Sequence, residues 1–220
     1  TIVEISALDK QECRPLVHAR GTIKKKLGKV YSNIIKDKSV IIRLNDDQEI
    51  IPRKHCIWSA SRFVTTSTFG NINAIIPIDH TLSSESFCKA CWGWCPNDSV
   101  DEGNCPNCGI NGETIERNRR IHGWIGIQRY LDQDDFGIDL IRNGRVIEQL
   151  SKDFFSWTNS DGIKELEYPI DTTHWGGRIV GEIHLDFIGV TYTKNSFDKT
   201  QYNWNHAVEV IRGNTPLRPQ

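Results

Sequence analysis

The sequence predicts an α+β fold, and three patterns support this prediction. Apolar residues recur at helical spacing between Pro15 and Lys36. Several later segments alternate apolar and polar side chains, as half-buried strands do. Asn143-Gly144 separates two such segments, and this pair favours the positive φ values of a two-residue hairpin turn. The chain is therefore expected to combine a few helices with antiparallel strands.

The predicted elements follow one another along the whole chain. Strands are predicted at residues 1–6, 39–44, 48–51, 71–79 and 178–186, a hairpin at 137–150, and helices at 15–36 and 197–212. Regular structure, of a type left open, is predicted at 121–130. The last helix has a buried stripe of Trp204, Val208 and Ile211, and Gly213 is suited to the position just after its end. The Ser- and Thr-rich stretch 52–70 is predicted to be a connection.

Composition indicates a globular chain with little overall charge. The 220 residues are 38% hydrophobic and 25% charged, and the net charge is -1. The chain as a whole therefore does not attract nucleic acid, and any contact with DNA requires a local basic patch. The run Lys24, Lys25, Lys26 and Lys29 is interpreted as a solvated helix face rather than such a patch. No apolar run or signal-peptide pattern predicts a membrane segment, and a cytoplasmic location is expected.

Five of the seven cysteines lie between residues 88 and 108. Their order is Cys88-x2-Cys91-x13-Cys105-x2-Cys108, and two such knuckles facing each other give the four-sulfur set that zinc prefers. We expect one structural zinc ion at these four residues, because a site closed by four thiolates has no open position for catalysis. Disulfides or free thiols are the alternative interpretation of the cluster.

Three residues of this segment leave alternatives open. Cys95 is either a spare thiol or a ligand in place of Cys91. Trp92 and Trp94 form either the small core of the zinc ribbon or an exposed platform, and a core role is favoured.

Several stretches, in order, resemble the GHKL ATPases, the group of DNA gyrase, histidine kinases and MutL, and in particular their MORC-type and related prokaryotic branch. They are TIVEIS (1–6), KKLGKVYSNII (25–35), SVIIRLND (39–46), GIDLIRNGRVIE (137–148), GRIVGEIHLD (177–186), VTYTKNSFD (190–198) and NTPLRPQ (214–220). The resemblance covers most of the chain except the cysteine segment, which looks like an insertion. It implies the end of a Bergerat-type ATPase α/β sandwich followed by a ribosomal-protein-like transducer domain.

The resemblance also implies a division of the chain and a set of partners. Residues 1–51 correspond to the end of the ATPase domain, 52–82 to a linker and first transducer strand, 83–114 to the zinc-ribbon insertion, and 115–220 to the transducer. The ATP and Mg²⁺ site itself is expected before residue 1, so this chain alone is expected not to hydrolyse ATP. A homodimer that acts on DNA is implied, and a role in restriction or phage defence is allowed.

Three residues are candidates for nucleotide contact on the strength of the resemblance. Lys194 matches the transducer lysine that reaches the γ-phosphate of ATP, with Thr193 beside it, and Thr1 matches a threonine placed near adenine. A lysine there would stabilise the charge on the transferring phosphoryl group. The alternative for Lys194 is an ordinary solvated lysine in a polar loop. His174, His184 and His206 are interpreted as structural residues.

Two rival functions remain after the sequence has been considered. One is a stand-alone zinc-ribbon module that binds nucleic acid or protein without any link to ATP. The other is a purely structural scaffold.

Overall fold

A computed structural model describes residues 16–37, 40–44, 48–96, 103–171, 176–213 and 215–216. Two helices precede the strands and one follows them: α1 (Leu16–Val30), α2 (Ser32–Lys36) and α3 (Tyr202–Arg212). Among these described helices, none has both the length and the apolar character that a bilayer span requires. The predicted strand at residues 1–6 lies outside the described residues.

Six of the twelve described strands form one mixed sheet that curls into a half-barrel. Its members are β5 (Ile75–Cys88), β6 (Trp94–Cys95), β7 (Thr114–Asp132), β8 (Gly137–Arg142), β9 (Arg145–Ser151) and β12 (Gly177–His184). Their order across the sheet is β6-β5-β7-β12-β8-β9, and all neighbours are antiparallel except β12 and β8. The predicted α+β class is therefore confirmed.

Smaller hairpins accompany the sheet. They pair β1 (Arg43–Leu44) with β2 (Gln48–Glu49), β3 (Phe63–Thr66) with β4 (Gly70–Asn73), and β10 (Ser156–Thr158) with β11 (Lys164–Leu166). The hairpin of β8 and β9 turns at Asn143 and Gly144, with φ values of 49° and 75°, as the sequence predicts. The β3–β4 hairpin was missed, because β3 is mostly exposed and lies in the stretch predicted as a connection. Most of β4 lies within the single strand predicted at 71–79, which the structure divides between β4 and β5.

The longest pairing in the molecule joins β5 and β7. It runs from Ile75 opposite Gly126 to Cys88 opposite Thr114, with an irregularity between Leu82 and Glu85. The sequence predicted a strand that ends at residue 79 and an irregular segment from residue 83, but the strand continues to Cys88. The reason is that the Ser-rich stretch before Cys88 is held by backbone pairing with β7, which requires no apolar pattern. The division of the chain into four parts stays a prediction.

One face of the sheet carries the apolar core. Ile121, Ile138, Leu140 and Ile183 are fully buried there, and they belong to one cluster with the buried Trp204 of α3. Phe154, Phe155, Phe187 and Phe197 complete this cluster from the connections between the strands and α3. The buried stripe predicted for the last helix is confirmed, although α3 begins five residues later than predicted.

The opposite face carries buried charges beneath the N-terminal helices. Glu182 of β12 lies opposite Asp139 of β8 in the parallel register. Lys36 of α2 donates to Glu182 Oε1 at 2.6 Å, and His55 Nε2 lies 3.4 Å from the same oxygen. Burial opposes the charge on Glu182, but His55 and Lys36 outweigh it and lower its pKa to about 2. Glu182 is therefore an ionised carboxylate, held in place by residues of the N-terminal segment.

The second charge on this face is held by Arg53. Its guanidinium contacts Asp139 Oδ2 at 3.0 Å and Asp135 Oδ1 at 2.6 Å, and its side chain is only 8% exposed. Burial raises the pKa of Asp139 above its usual range, although Arg53 and the N–H of Leu150 oppose this effect. The N–H of Arg53 also donates to the carbonyl of Gly28 in α1 at 3.1 Å, so the stretch predicted as a connection links α1 to the sheet.

We predict that Arg53→Met lowers the free energy of unfolding by about 3–5 kcal/mol, because Asp139 is left buried without its cation. Arg43→Met is the matched control, since its pair with Glu49 is exposed on both sides, at 59% and 60%. That control should change stability by less than about 1 kcal/mol. Urea unfolding followed by circular dichroism measures both values, and equal losses in the two variants would contradict the prediction.

Candidate metal centre

The cysteine cluster lies at the far end of the β5–β7 hairpin. Cys88 ends β5, Cys91 lies in the turn that follows it, and Cys105 and Cys108 lie in the loop before β7. The short strand β6 returns alongside β5, with Ser86 opposite Cys95. The strand pairing therefore brings the two knuckles face to face, as their spacing predicts.

The four predicted ligands form one compact group. Their sulfur atoms all lie within 4.8 Å of one another, with 3.8 Å between Cys88 and Cys108 and 3.7 Å between Cys91 and Cys105. A tetrahedron with metal–sulfur bonds of about 2.3 Å has edges of about 3.8 Å. These sulfurs are too far apart for disulfides, whose S–S bond is about 2.05 Å, and the four cysteines are free thiols. The group could therefore hold a metal ion such as zinc.

Backbone hydrogen bonds shape both knuckles. The N–H of Cys88 donates to the carbonyl of Gly93 at 2.9 Å, and the N–H of Gly109 donates to the carbonyl of Cys105 at 2.8 Å. Gly109 has a φ of 72°, a left-handed value that glycine adopts without steric cost. Trp92, directly after Cys91, has a φ of 59°, and this conformation is uncommon for a bulky residue. The loops are thus bent so that each pair of thiols points the same way.

The electrostatics of the group favour a bound cation. Burial opposes ionisation of the Cys105 thiol, but hydrogen bonds from the N–H groups of Cys108 and Asn107 lower its pKa to about 6. For Cys108 the N–H of Ile110 lowers the pKa, yet burial and neighbouring sulfurs raise it to about 12. One thiolate therefore forms readily, while four adjacent thiolates repel one another. A divalent cation removes this repulsion, and its binding releases the remaining protons.

The structure separates Cys95 from this set. Its sulfur is buried and lies 3.6 Å from the sulfur of Cys105. The side-chain amide nitrogen of Asn107 lies 3.5 Å from the Cys95 sulfur. Burial raises the pKa of the Cys95 thiol to about 12. Cys91 belongs to the compact group and Cys95 does not, so the geometry favours the interpretation of Cys95 as a spare thiol.

The two tryptophans beside the knuckles have different surroundings. Trp94 packs against the main core and lies edge-on to Phe87, with ring centroids 5.2 Å apart. Trp92 is 77% exposed. Trp94 is therefore a core residue, although it packs against the main core rather than a separate core of the ribbon. The favoured core interpretation is wrong for Trp92.

The residues predicted to contact nucleotide lie elsewhere. Thr1 is outside the described residues. Thr193 and Lys194 lie in an exposed loop closed by a bridge between Val190 and Phe197. Lys194 has a φ of 54°, and its side chain makes no ion pair within the described part of the chain. The Thr193 hydroxyl donates to Asn195 Oδ1 at 2.6 Å. Their role in nucleotide contact stays a prediction.

Of the three histidines considered, His184 has the clearest structural surroundings. It stacks on His122 with ring centroids 4.4 Å apart, and Asn33 lies 3.5 Å from its Nε2. His206 is half-buried on α3, and His174 lies outside the described residues.

Comparison with known proteins adds no family assignment: no family model matches the chain, and no curated protein matches it. The resemblance to the GHKL ATPases therefore stays a prediction from the sequence.

Sequence reasoning missed a group of residues that surrounds a cleft beside the knuckles. Arg117 of β7 and Asn203 of α3 both line this cleft, and Arg119 of β7 donates to Asn203 Oδ1 at 2.6 Å, although more than 80 residues separate the strand residues from Asn203 in the chain. Each is an ordinary polar residue within its own element. No sequence pattern indicates that they meet, because the contact depends on how α3 packs against the sheet.

We predict that the purified chain contains close to one metal ion, and that Cys105→Ser loses it, because three thiolates bind zinc less tightly than four. Cys95→Ser is the matched control, since it removes a neighbouring buried thiol that lies outside the compact group. Elemental analysis of protein prepared without chelators measures the metal content. Metal loss in the Cys95 variant, with retention in the Cys105 variant, would overturn the assignment of ligands.

Proposed function

We propose that this chain is the coupling part of an ATP-dependent, dimerising protein of the GHKL type that acts on DNA. Zinc at Cys88, Cys91, Cys105 and Cys108 has a structural role in it. The four thiols leave no open coordination position for a substrate, which supports the structural role. DNA as the target follows from the resemblance, since a net charge of -1 provides no general attraction.

The observation that carries the proposal is the charged interface between the N-terminal segment and the sheet. Lys36 and Arg53 reach Glu182 and Asp139 across more than 80 residues of sequence. Breaking such buried pairs costs several kcal/mol, so a displacement of the helices is transmitted to β12 and β8. A coupling element needs a connection of this stiffness between the part that responds to nucleotide and the part that acts.

Lys194 supplies the contact with nucleotide in this proposal. Its charge is exposed, and it has no acidic partner in the described residues, so it is available to a phosphate. The adjoining Ser196 Oγ donates to Glu148 of β9 at 2.7 Å, and α1 and α2 pack on the same strand. The loop is thus connected to the helices through β9. Attraction of Lys194 to a γ-phosphate would make domain closure depend on ATP.

We predict that Lys194→Ala in the intact protein lowers kcat for ATP hydrolysis roughly ten- to a thousand-fold, as the loss of one transition-state charge contact does. ADP binding should stay near normal, because ADP lacks the γ-phosphate. Residues 1–220 alone should not hydrolyse ATP. Lys164→Ala, at an exposed lysine on β11, is the control and should retain normal turnover. Wild-type turnover in the Lys194 variant would contradict the nucleotide role.

A second function, a zinc-stabilised module that binds nucleic acid or protein without ATP, is favoured by a different observation. Trp92 exposes most of its indole ring beside the cleft. Exposed aromatic rings of this kind are typical of binding surfaces. If the intact protein neither binds nor hydrolyses ATP, this second function replaces the first.

A further inference from the structure

A cleft of about 610 Å³ lies between the knuckles and the start of α3. Its walls are rich in aromatic rings, and consecutive rings meet edge to face: Trp92 with Phe87 at 6.2 Å, Phe87 with Trp94 at 5.2 Å, and Trp94 with Phe187 at 6.4 Å between centroids. The size is typical of a small-molecule site. Polar side chains line the cleft beside these rings, so a ligand with both a ring and polar groups fits it.

A buried amide with an unused donor also lines the cleft. Asn203 is 1% exposed, and its Oδ1 accepts a hydrogen bond of 2.6 Å from Arg119. Arg119 is equally buried and is held by Glu85 at 2.7 Å and by the carbonyl of Ser83 at 3.0 Å. A guanidinium only donates, so the amide oxygen must face Arg119. The Nδ2 group is left without a partner among the described residues, a costly state that a ligand's acceptor would relieve.

The charges at the cleft favour an anion. Arg117 stacks over Phe87 at 4.2 Å from the ring centroid and has no acidic partner in the described residues. Arg142 also lines the cleft, and Asp186 is the one carboxylate among the lining residues that the structure describes. Asp186 Oδ1 already accepts the N–H of Asn143 at 2.7 Å. The first turn of α3 contributes Tyr202 and Asn203 to the wall and contains no acidic residue, so its N–H groups add positive potential.

From these features we infer that the cleft binds an unstacked base of single-stranded nucleic acid. A carbonyl oxygen or ring nitrogen of the base accepts from Asn203 Nδ2, its ring packs against Trp92, and the adjoining phosphate lies near Arg117. Stacking on aromatic rings beside a cationic rim is how proteins hold single strands. A cationic peptide side chain fits less well, because two arginines outnumber the single carboxylate. The inference deepens the proposed action on DNA but requires no ATP coupling.

The test uses fluorescence anisotropy with labelled oligothymidylate and oligouridylate of about 12 nucleotides, a length that spans the usual single-strand site. Both strands offer a pyrimidine base and an adjoining phosphate. The strand that binds more tightly shows whether the natural ligand is DNA or RNA. A duplex of equal length should bind more weakly than either strand, because its bases are stacked and paired. Metal content is measured for every variant.

Asn203→Asp is the most informative variant, because it retains an oxygen acceptor for Arg119 but replaces the unused donor by a carboxylate oxygen. It should weaken binding of both strands at least tenfold. Trp92→Ala, at a mostly exposed position, should weaken binding roughly five- to hundredfold. Tyr192→Ala is its control, since that ring is fully exposed outside the cleft.

Arg117→Gln should reduce the slope of log K against log salt concentration by about 0.7, the value for one phosphate contact on a single strand. Arg62→Gln is the matched control, because Arg62 lies outside the cleft and stacks over Trp58, 4.1 Å from the ring centroid.

Unchanged single-strand binding in the Asn203 and Trp92 variants, with metal retained, would overturn the inference. So would equal binding of duplex and single strand, or binding of a lysine-rich peptide alone. No ATP is present, so failure here leaves the coupling proposal intact.

Discussion

The pairing of β5 with β7 is the constraint on which the rest of the structure depends. One end of this pairing aligns Cys88 with Thr114 and so places the cysteine knuckles, and the middle of β7 pairs on its other side with β12. A shift of the register by one residue would turn every side chain to the opposite face. The four clustered cysteines, the apolar core and the buried charges would all be displaced together.

The same alternation gives the sheet its two unlike faces. Ile183 of β12 faces the core with α3, whereas its neighbour Glu182 faces the N-terminal helices and is ionised. The apolar face supplies most of the stability, because it removes aliphatic and aromatic surface from water. The charged face supplies orientation, because a buried carboxylate accepts only a cation placed at the correct distance. In the proposed coupling function, this attachment of the helices through charges would transmit their movement to the sheet.

Local chemistry made some of this predictable from the sequence. The paired Cys-x-x-Cys spacing predicted the group of four close sulfurs, and Asn143-Gly144 predicted a hairpin, because each motif depends on a few neighbouring residues. The charged face was not predicted, because Glu182 alternates with apolar residues as a solvent-facing residue would, and its partner Lys36 is 146 positions away. The contact of Arg119 with Asn203 was missed for the same reason. Gly123 marks a close approach of β7 to the Glu182 backbone, which only the packed sheet reveals.

The four clustered cysteines lie at the end of the main hairpin, where a bound metal ion would hold the far part of β5 and β7 in place. Amide hydrogen exchange, measured before and after a chelator removes the metal, tests this role of the metal ion. We expect faster exchange after metal removal in residues 86–96 and 103–117, where the knuckles and β6 lie. Residues 121–127 should stay protected, because β7 there pairs with both β5 and β12. Unchanged exchange around Cys88 and Thr114, or equal loss of protection across the whole sheet, would contradict the claim.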